Sequence, residues 1–226
     1  MAQDLSQKTL GMIHAAVFTA QTVQPYIDEF LPEVNVVHVG DDTIQRDFTN
    51  LGPGKIPKFN YFRFTTYARF LEEAGVDLIM LACSTMNKAV ELARPMINTP
   101  MLQIDRPMMD LAVQTGRKIG LLCTLATTVP SSERLLRLAA EEAGKDVEIH
   151  TVLAEEAFKV LRSGDPQRHN EMLLDEIDKL SRTVDCVVLA QVSMSVLEPH
   201  LGDVRIPVYN SGRTGFTKAR EILESL

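Results

Sequence analysis

The stretch Val76–Asn87 holds the residues best placed to do chemistry. The apolar run Val76-Asp-Leu-Ile-Met-Leu-Ala82 has the length of a strand and ends on Cys83, with Ser84 and Thr85 directly after it. Lys88–Arg94 then reads as a helix that Pro95 stops. A thiol at that junction lies at the C-terminal end of a strand and beside a helix N-terminus. The free N–H groups and positive dipole end of such a helix favour thiolate over thiol. Ser84 and Thr85 add hydroxyl donors, so the corner has the means to hold a carboxylate while the sulfur reacts. The competing reading is that Cys83 packs as a small buried residue, a common use of cysteine.

Other chemistries find less support. The cysteines at 83, 123 and 186 show no CxxC spacing and the five histidines do not cluster, which argues against a disulfide framework, a zinc site or any bound metal. Cys186 falls in the middle of an apolar run and reads as packing, and packing is also favoured for Cys123 near a strand end. Gly54-Lys55 is reminiscent of a phosphate loop, but Thr49 stands where the first glycine belongs and Ile56 replaces the Ser/Thr, so that reading is rejected. With 30 acidic against 23 basic residues the net charge is −7, which argues against a nucleic-acid surface. No apolar run reaches membrane-spanning length, so no membrane partner is expected. The first eight residues lack the apolar core of a signal peptide, and a cytoplasmic location is the expectation.

The elements that must position Cys83 alternate along the chain. Leu10–Phe18 reads as a strand followed by a helix over Thr22–Phe30, and Val34–Gly40 as a second strand. Asp41–Asn60, with its glycines and prolines, reads as a long polar connection of the kind that forms a lid. A helix over Tyr61–Ala74, closed by Gly75, leads into the cysteine strand, and Pro100–Asp105 reads as another strand before the helix Met108–Gln114. The order then begins again. Strands are expected at Lys118–Cys123, Val147–Leu153, Val184–Ala190 and Pro207–Asn210. Helices are expected at Ser131–Ala143 (capped by Ser131 or Ser132), Glu155–Leu161, Gln167–Arg182 and Thr217–Leu226.

This alternation argues for an α/β fold with mainly parallel sheets, because parallel neighbours need crossover helices. The chain also repeats itself. Leu10-Gly-Met-Ile-His-Ala matches Ile119-Gly-Leu-Leu-Cys-Thr, and Val76–Cys83 matches Val184–Gln191, with Met86 and Met194 marking the register. An offset of 108 residues carries Cys83 onto Gln191. Two pseudo-symmetric Rossmann-like lobes are expected, each a four-stranded, mainly parallel sheet flanked by helices. Residues 1–104 form the first lobe, 105–210 the second, and the helix 211–226 packs back on the first. Ligands of open α/β sheets bind beyond the carboxyl ends of the strands, so Cys83 and Gln191 are expected to face one cleft.

These residues resemble the aspartate/glutamate racemase superfamily, which includes hydantoin racemases, maleate isomerases and arylmalonate decarboxylases. The resemblance is carried by the opening Ile-Gly-x-Ile/Leu strand of each half, by Leu81-Ala-Cys-Ser-Thr85, and by Leu121-Leu-Cys-Thr-Leu-Ala-Thr-Thr128. It spans essentially the whole chain and implies the two-lobed fold, a small carboxylate substrate, no cofactor and a homodimer. In the racemases one cysteine per half works on each face of the substrate carbon. This chain keeps the first as Cys83 and has Gln191 in place of the second. A glutamine has no titratable proton near neutral pH and cannot act as the second acid or base.

The resemblance implies carboxylate-binding roles for Ser84 and Thr85, and substrate contacts for Thr124, Thr127 and Thr128. Ser193 is a further donor to a developing enolate, and Gln191 could offer its amide to the same oxyanion. His14, ending the first strand, is the candidate for a second acid or base, against the reading of a histidine satisfied by core hydrogen bonds. Arg46 and Arg63 are candidates to clamp a second carboxylate from the lid, against the reading of solvated surface arginines. Asn210–Gly215 reads first as a structural turn. The functional expectation is a cofactor-independent, racemase-like isomerase working through one cysteine. The alternatives are a decarboxylase or other lyase of an activated diacid, and a carboxylate-binding protein without catalysis.

Overall fold

A computed structural model describes residues 4–226. Four parallel strands, β1 (Thr9–His14), β2 (Asn35–Gly40), β3 (Leu78–Leu81) and β4 (Met101–Gln103), form one sheet in the order β2-β1-β3-β4. A second parallel sheet, β5 (Lys118–Cys123), β6 (Glu148–Leu153), β7 (Cys186–Leu189) and β8 (Val208–Asn210), repeats that order as β6-β5-β7-β8. β3 and β7 are related by the offset of 108 read from the sequence, and every residue of both is buried. Strands covered by helices on both faces read as unbroken apolar runs, as these do.

The helices are α1 (Thr19–Phe30), α2 (Asp42–Leu51), α3 (Lys58–Glu73), α4 (Lys88–Ala93), α5 (Arg106–Thr115), α6 (Val129–Glu142), α7 (Glu155–Arg162), α8 (Pro166–Leu180) and α9 (Ser211–Ser225). α1 and α9 cover one face of the first sheet, with Val23, Ile27, Phe216, Ala219 and Leu223 against Leu10, Met12, Leu78 and Met80. α2, α3 and α4 cover the other through Ile44, Phe48, Phe64, Ala68, Val90 and Ala93. In the second sheet α5 and α6 take one face and α7 and α8 the other. Among the described residues no helix is long and apolar enough to cross a membrane.

Three local readings are corrected. Asp41–Asn60 is mostly helical: Asp41 caps α2 by accepting from the Thr43 N–H at 3.0 Å, and α3 already begins at Lys58. The helix escapes the periodicity because only Ile44 and Phe48, one turn apart, are buried in it. The helix after β5 starts at Val129, so Ser132 lies buried inside it and neither serine caps it. Ser211–Gly215 is the first turn of α9 rather than a separate turn, with the Asn210 side chain capping the Arg213 N–H at 2.9 Å.

α9 leaves the second sheet at β8 and crosses to the first, which requires close backbone approach. A side chain at Gly215 would meet the Ile104 carbonyl oxygen at 2.8 Å. Beneath the cysteine turn lies a buried polar tie. Asn87 donates from Nδ2 to the Ser84 carbonyl at 2.9 Å and to Asp105 Oδ2 at 3.0 Å, while Gln103 Nε2 donates to the Asn87 carbonyl at 3.0 Å. These bonds lock the turn after β3 to the end of β4. Asp105 has no solvent exposure. Burial pushes its carboxyl from 3.8 up to about 6, against the opposing pull of Asn87, Ser84 and Ser211.

Two outcomes follow from these contacts. Gly215→Ala forces backbone displacement and should lower unfolding stability by about 1–3 kcal/mol, seen as a shifted urea midpoint with unchanged slope. The Asp105 contribution is fully present below its unfolded value near 3.8 and is lost as pH rises through about 6. His14, buried and held down to about 4, works oppositely in the same window, so the pH course of the wild type alone is uninformative. Relative to wild type, Asp105→Asn should gain on the order of 3 kcal/mol between pH about 4 and about 7. A difference that stays constant over that range would show that Asp105 is not buried as a costly anion.

Candidate active site

Cys83 and Gln191 each follow a fully buried strand, in extended backbone (φ −154° and −148°), and each opens a 3-10 segment, Ser84–Met86 in one lobe and Val192–His200 in the other. Both line a single cavity of about 520 Å³ between the two sheets' carboxyl ends. Ser84, Thr85, Thr128 and Ser193 line it as well. Thr85 and Thr128 come from opposite halves of the chain, and their hydroxyl oxygens meet at 3.3 Å. On the outer side of that contact Arg134 of α6 donates to Glu91 of α4, Nη1 to Oε1 at 2.7 Å, so the halves are also joined by a charged pair.

Cys83 as a residue is half-buried, and the backbone N–H groups of Met86 and Thr85 turn toward its sulfur. Burial nonetheless pushes the thiol from 9.0 up to about 12, and the Asp105 carboxylate adds to the rise, while the two N–H donors oppose it. The expected thiolate-favouring helix end is present in outline only. The 3-10 segment has three residues and α4 has six, so the dipole is short and burial prevails. The resting group is therefore a neutral thiol facing the cavity.

Gln191 is oriented by its neighbour. Its Oε1 accepts from the Thr124 N–H at 2.6 Å and from the Thr124 hydroxyl at 3.0 Å. Since the oxygen is occupied by two donors, the amide NH2 is the end left for a ligand. Thr124 itself is buried and serves Gln191 rather than lining the cavity, and Thr127 is half-buried and also outside the lining.

His14 is a core histidine. Its Nδ1 pairs with the Thr19 hydroxyl at 2.7 Å and its Nε2 with His38 Nδ1 at 2.9 Å, and it is 1% exposed. Burial first, and His38 second, hold it down to about 4. With both nitrogens engaged and the ring outside the lining, the structure does not bring it to the cavity. Arg46 points away from the cavity on the exposed side of α2, near Asp47 at 3.7 Å. Arg63 is locked between α2 and α3 by Asp41 at 3.1 Å, Asp47 at 2.5 Å and Asn60 at 2.6 Å. Neither arginine lines the cavity. Cys123 and Cys186 are fully buried in the apolar core of the second lobe, as expected of packing residues. Among the described residues no group of three or more His, Cys, Asp or Glu is arranged to hold a metal ion.

Sequence reasoning missed three parts. Asn87 and Asp105 are spaced without any motif, and only their complete burial marks them. Arg162, at the end of α7, reaches the cavity rim from the second lobe. The walls are mostly apolar, and Phe48 in the segment read as a lid is one of them.

Comparison with known proteins bears on the family and the fold. The family model described as Asp/Glu/Hydantoin racemase matches residues 58–219. A glutamate racemase of Persephonella marina is 28% identical over 116 residues, covering 50% of this chain and 43% of that protein. A hydantoin racemase of Rhizobium meliloti is 27% identical over 158 residues, covering 69% and 62%. The chain thus aligns with about half the length of the curated relatives it matches. A crystal structure of a glutamate racemase isoform from Bacillus anthracis superposes with a TM-score of 0.72 at 20% identity, over 97% of this chain and 83% of that one, a likeness of fold. The family match covers well over half of the sequence, and the chain belongs to the Asp/Glu/Hydantoin racemase family.

Proposed function

We propose that this protein is an isomerase of the racemase family that moves a proton from the carbon beside a small substrate's carboxylate to another atom of the same substrate, with Cys83 as its single proton-transferring group. The observation that carries the reading is the matched pair of strand ends. Cys83 and Gln191 occupy equivalent places in the two lobes and line one cavity, but only one of them has a proton to exchange. The hydroxyls of Ser84, Thr85, Thr128 and Ser193 hold the carboxylate. As the α-proton leaves, charge spreads onto the carboxylate oxygens as an enediolate, and donors already in place stabilise it without reorganising. The amide NH2 of Gln191 is one such donor. The proton passes to the Cys83 sulfur in its minor thiolate form and returns from that same side to a second carbon of the delocalised anion, which requires a double bond next to the reacting carbon; return to the same carbon would only regenerate the substrate.

The neutral resting thiol favours a second reading. A thiol pushed up to about 12 is better prepared to give a proton than to take one, and suits protonation of a carbanion left by loss of carbon dioxide. The two readings separate in deuterated water over a panel of small carboxylates and malonates. Solvent deuterium entering without loss of mass supports the isomerase, and carbon dioxide release supports the lyase.

Two outcomes test the role of Cys83. Because the thiol sits at about 12, its alkylation by iodoacetamide should rise about tenfold per pH unit from pH about 7 to about 10 without levelling. Cys123 and Cys186 should react only on unfolding. Alkylation of Cys123 in the native protein, with Cys83 inert, would remove the basis of the assignment. Cys83→Ala should keep the thermal midpoint and lower turnover by about a thousandfold, whereas full activity in this variant would exclude thiol chemistry.

A further inference from the structure

The cavity's charge pattern defines a class of substrate. Among the residues lining it, Arg162 is the one with a formal charge, and no carboxylate is present. Arg162 makes no ion pair among the described residues, unlike the paired Arg46 and Arg63 outside the cavity. The nearby acids face other partners: Asp41 and Asp47 are taken by Arg63, and Asp105 lies buried behind the turn on Asn87. Beyond the hydroxyl corner the wall is mostly apolar, formed by Phe18, Phe48, Leu125, Phe158, Leu161 and Val192, with Thr19, Gln45 and Thr49 as its neutral polar members.

We infer that the substrate carries a carboxylate and an apolar substituent of aryl or branched-alkyl size, and no ammonium group. The inference rests on reading this cavity as the carboxylate site. A free amino acid would bring a cation into a pocket with no carboxylate to meet it, which costs binding energy unless several other acceptors replace its water. An apolar group gains there instead by leaving water. The volume, about 520 Å³, is ample for a ring and a carboxylate and falls in the size range of small-ligand pockets. Ser84, Thr85 and Thr128 hold the carboxylate at the Cys83 end, and Arg162 supplies longer-range attraction from the rim.

The test is equilibrium binding of 2-phenylpropionate, 2-methylbutyrate, phenylalanine, aspartate and glutamate to the full chain by titration calorimetry. Phenylpropionate should bind at least about tenfold more tightly than aspartate, glutamate or phenylalanine, the last of which has the ring but adds the ammonium. Phe18→Ala, at an exposed rim position, and Phe158→Ala should each weaken phenylpropionate by about three- to tenfold and leave the amino acids unchanged. Arg162→Ala should weaken both simple acids alike. Aspartate, glutamate or phenylalanine binding as tightly as phenylpropionate would overturn the inference, as would affinities unmoved by both phenylalanine changes. Repeating the series in Cys83→Ala separates it from catalysis. The same order of affinities there supports the substrate class even if the wild type exchanges no substrate proton, an outcome that counts against the thiol reading alone.

Discussion

A parallel strand buried on both faces can offer chemistry only where it ends. Leu78–Leu81 and Cys186–Leu189 are covered completely, so the first positions free to carry polar groups into a cavity come just past their carboxyl ends. Cys83 and Gln191 stand there. Everything else about the candidate site follows from that restriction, including the hydroxyl residues of the turns and the meeting of two lobes over one cavity. Two sheets with the same strand order, facing each other by those ends, turn a constraint on each lobe into a shared pocket.

The same burial decides the state of the sulfur. Raising a thiol from 9.0 to about 12 amounts to a penalty on the thiolate on the order of 4 kcal/mol. A helix N-terminus returns typically 0.3–1 kcal/mol, roughly, and here the helical segments are short. The N–H groups of Thr85 and Met86 add to that return without reversing it. Asp105 pulls in the other direction. It fixes the turn through Asn87 and at the same time places negative charge behind the sulfur. One buried carboxyl therefore contributes to the geometry of the site and to the neutrality of its thiol.

The sequence shows the fold through the long apolar runs and the offset of 108 that pairs Val76–Cys83 with Val184–Gln191, because register in a buried strand leaves an unbroken trace. α2 left almost none, since two buried residues in ten do not make a period, and its Gly/Pro-rich continuation looks like loop. The cavity position of Cys83, Ser84, Thr85, Thr128, Ser193 and Gln191 was legible because it depends on strand ends, which are local features. Arg46 was not, because which side of α2 faces the core is set by the packing of Ile44 and Phe48, and that leaves Arg46 exposed and outside the lining. His14 was placed at the correct strand end but turned to His38, a contact 24 residues away that no spacing encodes. Asn87 and Asp105 belong to the same class: long-range polar pairs become visible only when burial is known.

The two lobes match in fold and differ in chemistry, and Gln191 is where the difference is concentrated. Its oxygen takes both donors of Thr124, the residue directly after β5, so the amide is held in one orientation before any ligand arrives. A fixed amide can stabilise negative charge on one side of a substrate, but it has no proton to trade at neutral pH. On the proposed reading, proton traffic is confined to the Cys83 side and charge stabilisation is shared between the lobes. That division also accounts for the apolar wall. With one face reserved for a proton donor and the opposite face for a neutral hydrogen-bond donor, the remaining cavity is free to select the substituent by shape and hydrophobicity rather than by charge.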